Sequence, residues 1–522
     1  MQNSDAILWT SGFFNERFPA PVSPLGWSLV GPLIEELALR DPLRFLGYPD
    51  SEKIPLTRLW HGHPYANALA FQIFYRVFPD FILPEDAYRY FPNGTVSLRK
   101  RAPYPRWIDA PRFVFSLLHA FFSDPFNVSP LNNYRYWARY TQEHDRRVAA
   151  LRTRYAALAR AEPPAIFAAL HETEEIHRNL LRIHRWSLMD ADLTFGLLKR
   201  LVGSTEAAHL VSDVPNKTLE VDAALGEIKN FKLQITLFLE EHGHRSFSLD
   251  IAVPTFADDP TQVTRMLEML TPDYRPLTTN SVVSPHPSAF VRLVTLFARH
   301  YVALREDQRY YWQKSLAVSR HLYLLLADRL VADGVIANRN LVFYATHEEL
   351  ANYFNDGLPK TKLAQSIATR QAEWQTYQHE FEESPTETYP PFLRGEGVVG
   401  VRGNAEVRGN IASTENQWRG RAVSPGMARG VARVVQSSSD LSRVQHGEIL
   451  VAPSTDPAWT PVFTRIAGLI VERGGVLSHS AVVAREYHLP AVAGIPNIVA
   501  EIHDGDLIEV DGSRGVVSAI IR

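Results

Sequence analysis

The pattern of this chain changes near residue 142 and again near residue 420, and the second change dictates its fold class. Between the two, apolar residues recur at helical spacing. Val148, Leu151, Tyr155 and Leu158 share one face of an Arg/Ala-rich segment that begins near 142, and Leu170, Ile176, Leu180 and Ile183 mark a further run. A third segment, from about 290 to 333, sets Leu322, Leu325, Leu326 and Leu330 on one side. Pro163-Pro164 is expected to stop the first helix, and Asp333-Gly334 to end the last. After Ser424-Pro425-Gly426 the apolar runs become short and β-branched (GVARVVQ, EILVAPS, AGLIVERGG, DLIEVDG, GVVSAII), bounded by Gly, Pro or Asp. One helical stretch, SHSAVVAREYH, interrupts them.

A length of 522 residues exceeds what one core normally holds. The expected architecture is multidomain: a mostly α-helical domain over 1–383, followed by a small β-rich α/β module over 421–522. The first is aromatic- and Pro-rich over 1–140 and helical over 142–383. Residues 384–420, with SPTETYPPF and RGEGVVGVRGNAEVRGN, hold few large apolar groups and read as a linker.

Lysine and arginine total 54 against 57 acidic residues, a net charge of −3. That balance argues against binding nucleic acid or an anionic membrane through bulk charge. The absence of cysteine excludes disulfides, a thiolate nucleophile, Cys-ligated zinc and iron–sulfur clusters. The N-terminus has no signal-peptide pattern, and no run approaches the ~18 apolar residues of a membrane helix. A cytoplasmic location is expected.

One segment carries chemistry. Glu472-Arg473-Gly474-Gly475-Val476-Leu477-Ser478-His479-Ser480-Ala481 reads as strand, glycine turn, helix. Adjacent glycines let backbone approach a ligand, so Gly474, Gly475 and Ser478 are candidate phosphate-binding positions. Ser478 is a good N-cap, placing His479 on a first helical turn, where the dipole favours an anion. A neutral imidazole there can accept a phosphoryl group. A lone histidine in a turn more often caps or packs, and only the surrounding pattern separates the two roles.

That pattern, GG-VL-SHSAVVARE followed by YHLPAV, resembles the phosphohistidine swivelling domain of the phosphoenolpyruvate-utilising dikinases. SPGMARGVARVV, DPAWTPVF (456–463) and GDLIEVDGSRGVV (505–517) match in order, over roughly 100 residues. The resemblance implies that His479 carries a phosphoryl group between two remote sites. Leu477, where the dikinases commonly have threonine, and DPAWTPVF look more like rifampicin phosphotransferase. ERFPAPVSPLGWSLV (16–30), HGHPYANALAF (61–71), EEHGHRSFSLDIAVPTFADDP (240–260), LREDQRYYWQKSLAVSRHLY (304–323) and DGVIANRNLVFYATHEEL (333–350) follow the order of that family's antibiotic-binding domain. The phosphohistidine subunit of phenylphosphate synthase has a similar layout. ATP-grasp glycine loops are not recognisable, so the resemblance implies a separate ATP-grasp protein or subunit as partner. ATP and Mg²⁺ are expected on that partner, with no cofactor bound tightly here.

Phosphoryl transfer needs positive charge around the moving group. Arg305 and Arg309 share a helix face with Glu306 between them, a pattern that also suits a solvated charge run. The antibiotic phosphotransferases carry Arg-Glu-x-x-Lys here, which implies that Arg305, Glu306 and Arg309 hold the phosphoryl group, with Arg309 at the lysine position. His242, His244, Arg245 and Asp250 form a second cluster, suited to the acceptor pocket or to structural hydrogen bonding, with a metal site the weakest reading. His171-Glu172-Thr173-Glu174-Glu175 lacks the second histidine of the zinc-protease motif and reads as a solvated helix face. His61-Gly62-His63 has no evident third metal ligand. The aromatics of 1–140 suit either a core or a pocket.

The preferred expectation is a phosphotransferase component that carries phosphoryl on His479 from the ATP-grasp partner to a hydroxyl of a small, aromatic or polyketide-like acceptor. A dikinase-like enzyme that condenses two molecules through a phosphorylated intermediate, and a non-catalytic binding protein, are the alternatives.

Overall fold

The computed structural model describes residues 7–15, 17–46, 48–76, 91, 106–124, 126, 130–228, 231–269, 288–383, 389–395, 397–398, 417–436, 438–455, 459–476 and 478–520. Helices α1 (Pro24–Leu33), α2 (Pro163–Val202), α3 (Lys217–Gly226), α4 (Ala289–Ala332) and α5 (Lys360–Glu383) organise the larger part. The 40-residue α2 and 44-residue α4 run antiparallel as its axis. Their seam is apolar, with Ile176, Leu180, Leu322 and Leu326 buried. It is also stitched by His177, whose ring nitrogens each meet a serine hydroxyl of α4, Ser315 and Ser319, at 3.2 Å. Burial pushes His177 down to about 3, so the seam holds a neutral ring.

The helical segment expected from 142 runs over Pro130–Thr153 and a short turn at Tyr155–Leu158. Pro163-Pro164 does not end a helix but opens α2. Proline fits the first helical turn because its missing N–H has no intrahelical partner there. Helix α4 ends as expected, with Gly334 at φ +65° and the Val335 N–H returning to the Leu330 carbonyl. Of the early aromatics, Phe13, Phe14 and Trp137 are core, whereas Phe115 and Phe121 are exposed.

A five-stranded antiparallel sheet flanks the helices. It contains β1 (Leu8–Thr10), β2 (Thr57–Trp60), β3 (His63–Asn67), β4 (Phe392–Arg394) and β5 (Gly397–Val398), in the order β2-β3-β1-β4-β5. Phe392–Arg394, within the segment read as linker, thus pairs with Leu8–Thr10. Most of that segment (384–388, 396 and 399–416) lies outside the described residues.

The C-terminal part is a mixed eight-stranded sheet. Its strands are β6 (Gln417–Arg419), β7 (Arg421–Ser424), β8 (Met427–Val434), β9 (Ile449–Ala452), β10 (Gly468–Val471), β11 (Ala491–Ala493), β12 (Leu507–Asp511) and β13 (Val516–Ala519). The order is β6-β13-β12-β8-β9-β10-β11-β7. β9, β10 and β11 are parallel and wholly buried, which accounts for their unbroken apolar sequences. The crossover from β10 to β11 is α6 (His479–Glu486). One buried apolar cluster continues from Phe13 and Leu25 to Val482 and Leu489, so the two parts share a core.

Candidate functional site

The turn between β10 and α6 sets the site. Gly474 has φ +137°, and a Cβ there would lie 3.0 Å from the Ser478 hydroxyl oxygen. Only glycine accepts both the dihedral and the close approach. The Gly475 carbonyl accepts from the Ser478 N–H (3.0 Å) and hydroxyl (2.8 Å). Ser478 caps α6 by accepting the Ala481 N–H, as expected, and His479 stands on the first turn.

His479 is 3% exposed because it faces the helical part. Its Nδ1 lies 3.3 Å from Oε2 of Glu306, on α4. Burial raises the Glu306 carboxyl, but His479, the Thr218 hydroxyl and Arg309 outweigh it and hold it at about 2. An ionised carboxylate only accepts, so Nδ1 carries a ring proton, and in the neutral form of the ring Nε2 keeps its lone pair. Nε2 is buried with no hydrogen-bond partner among the described residues. A nucleophilic nitrogen, oriented by a carboxylate on the other ring nitrogen, is thus enclosed between two parts of the chain.

Neighbours fix Glu306. Asn216 caps α3 by accepting the Thr218 and Leu219 N–H groups. Thr218 donates its hydroxyl to Glu306 Oε2 at 2.9 Å, and the Lys217 N–H donates to Asp307. The charges of Arg309 and Arg245 both act on Glu306. The sequence-marked residues Glu306, Arg309, Arg245 and His479 therefore converge.

Arg305 also acts on a histidine of α2. Its charge reaches His184, whose Nδ1 contacts Gln308 Oε1 at 2.6 Å and whose Nε2 contacts Arg17 at 2.8 Å. His244 is buried edge-on against Tyr310 (4.5 Å between centroids), and neither ring nitrogen has a hydrogen-bond partner among the described residues. Burial and the nearby Arg245 push it well below the usual histidine range. His242 reaches the Tyr310 hydroxyl at 3.3 Å. Asp250 accepts from the Ser23 N–H and hydroxyl, each at 2.6 Å, and so secures the start of α1.

Thr218 gave no sequence signal, since its role depends on α3 meeting α4. A second contact did have one: Glu486, seven residues beyond His479 and so on the same face of α6, accepts the Asp213 N–H at 2.7 Å. Burial is the main reason its carboxyl is pushed up to about 7.

The remaining histidine motifs are structural. His171 is exposed beside Glu174, while Glu172 pairs with Arg154 and Glu174 with Arg178. His61 meets Glu380 at 2.7 Å, and His63 is a buried ring of the small sheet. Among the described residues, no group of three or more histidines and carboxylates is arranged to hold a metal ion, and no helix is long and apolar enough to cross a membrane.

Residues 444–515 match the family described as PEP-utilising enzyme, mobile domain. Rifampicin phosphotransferase of Bacillus subtilis (strain 168) is 36% identical over 220 residues, covering 42% of this chain and 24% of that protein. Chondramide synthase cmdD of Chondromyces crocatus is 28% identical over 323 residues, 56% of this chain and 8% of the relative. The phosphoenolpyruvate synthase of Deinococcus radiodurans is 45% identical over 96 residues, 18% of this chain and 12% of the relative. The chain spans a quarter or less of the length of these relatives. Its C-terminal part contains a mobile, phosphohistidine-type domain, and the chain is distantly homologous to rifampicin phosphotransferases and phosphoenolpyruvate synthases.

Proposed function

We propose that this chain is a phosphotransferase component in which His479 takes a phosphoryl group from ATP bound to an ATP-grasp partner and passes it to a hydroxyl of a small aromatic or polyketide-like acceptor. The observation that carries this reading is the contact of His479 with Glu306 across the two parts of the chain. In charging, Nε2 forms the N–P bond to the β-phosphorus as its bond to the AMP oxygen breaks, and water then takes the γ-phosphoryl group as phosphate, so that one phosphoryl group stays on Nε2. In delivery, the N–P bond breaks, the acceptor oxygen takes the phosphoryl group, and the hydroxyl proton leaves to a base.

The chain's own groups suit the second step. Glu306 holds the Nδ1 proton, so the ring leaves as a neutral imidazole after transfer. Arg309 and Arg245 supply positive charge beside the moving group. Arginine stays charged and binds phosphate oxygens through a fork, so Arg309 can serve at the position where the family has lysine. Burial of His479 keeps water from the labile N–P bond. Charging at a separate protein requires α6 to leave Glu306 and return.

The test combines the chain with a candidate ATP-grasp protein, β-radiolabelled ATP and hydroxylated aromatic acceptors. Label should appear in an acid-stable phosphate ester, with AMP formed, and both should vanish with His479→Ala. Ester formation that survives this substitution would overturn the proposal.

A further inference from the structure

A cleft of about 950 Å³ lies where the helical part and the C-terminal part face each other. Phe247, with Trp374 and Phe381 from α5, lines it on one side, while Trp459 and Arg473 line it on the other. The volume is at the upper end of small-molecule sites, and aromatic walls with a few polar groups are their usual make-up.

Two donors in this lining are unsatisfied. The Trp374 indole N–H and the Arg473 Nε–H are each shut off from solvent without a hydrogen-bond partner among the described residues. A buried donor left without an acceptor is costly, and more so when it is charged. Of the other charged groups in the lining, Arg443 pairs with Asp504, which Arg433 also meets, and Glu382 and Asp440 stand on the same cleft. Asp250 is occupied by Ser23. Arg473 feels Glu472 and Tyr65, but burial is the largest influence on it.

We propose that this cleft binds a planar aromatic molecule bearing an acidic group, its rings between the aromatic walls and its anionic edge on Arg473 and the Trp374 N–H. Such a ligand touches both parts of the chain, so by linkage its binding stabilises the arrangement in which His479 meets Glu306. The site itself does not depend on the phosphotransfer reading; only the ligand's fate does.

Titrating the full chain with 1-anilinonaphthalene-8-sulfonate tests the proposal, with N-phenyl-1-naphthylamine as the same aromatic body without the anion. Arg473→Gln should weaken the sulfonate by about tenfold, the loss expected for one charge-assisted hydrogen bond, and leave the uncharged probe nearly unchanged. Trp374→Leu should weaken both by roughly threefold to tenfold. Thermal unfolding of each variant confirms that it folds. Sulfonate binding that neither substitution alters would overturn the site. Binding that persists in His479→Ala supports it independently of phosphotransfer. With 3-hydroxy-2-naphthoate on phosphorylated chain, a phosphate ester identifies the occupant as an acceptor, and an unmodified bound ligand identifies it as an effector; failure of this probe to compete with the sulfonate counts against the proposal.

Discussion

Glu306 Oε2 and His479 Nδ1 lie 3.3 Å apart although 173 residues separate them in the chain. One belongs to the longest helix of the larger part, the other to the first turn of α6. Their meeting joins a phosphohistidine-type domain to a carboxylate on which the charges of Arg309 and Arg245 also act. In the proposed transfer it also selects Nε2 as the nitrogen that takes the phosphoryl group.

Glu306→Gln should slow delivery from phosphorylated His479 by on the order of 100-fold, because a carboxamide no longer enforces the Nδ1 proton. Single-turnover loss of label from the protein measures this. An unchanged rate would mean that the contact is only structural.

Arg309 separates a charge role from a packing role. Arg309→Ala should reduce delivery by on the order of 100-fold through lost electrostatic stabilisation. Arg309→Lys restores the family residue and should recover most of the activity. Equal losses in both variants would show that charge is not what Arg309 supplies.

The helical half of the fold was legible in sequence because α2 and α4 repeat apolar residues over ten turns or more. The strand, glycine turn and helix around His479 were equally legible, since local chemistry alone forms them. The Pro163-Pro164 pair is ambiguous in sequence because proline both ends and begins helices, and only the chain that follows decides. Arg305 and Arg309 look equivalent four residues apart. Yet Arg309 acts on Glu306, three residues before it on the same helix, whereas Arg305 also acts on His184 of α2, which spacing does not reveal. Thr218 and Asp213 were invisible for the same reason.

Glu486 makes the docked arrangement sensitive to pH. Its carboxyl is raised from 4.5 to about 7, first by burial, with Asp213 adding repulsion and Arg485 and the Asp213 N–H opposing; Arg299 also faces it. A raised acid gives stability that is full below about 4.5 and lost as pH rises through about 7. Glu486→Gln should therefore flatten this component and stabilise the protein at pH 8 by on the order of 1–3 kcal/mol. The difference in thermal unfolding between wild type and variant, followed from pH 5 to 8, checks it. A difference independent of pH would contradict it.

Gly474→Ala should destabilise the turn by about 1–3 kcal/mol, since alanine at φ +137° is strained and its Cβ crowds Ser478. Chemical denaturation measures the loss, and phosphorylation of His479 should fall with it. Wild-type stability would show that the turn relaxes without effect.

The most direct test is to expose the full chain to phosphoramidate, a chemical phosphoryl donor to histidine, and map the modified residue by mass spectrometry and phosphorus NMR. The expected result is one acid-labile phosphoryl group on Nε2 of His479, absent from His479→Ala and released faster in wild type than in Glu306→Gln when an acceptor is added. Modification confined to other histidines, or to Nδ1 of His479, would contradict the account.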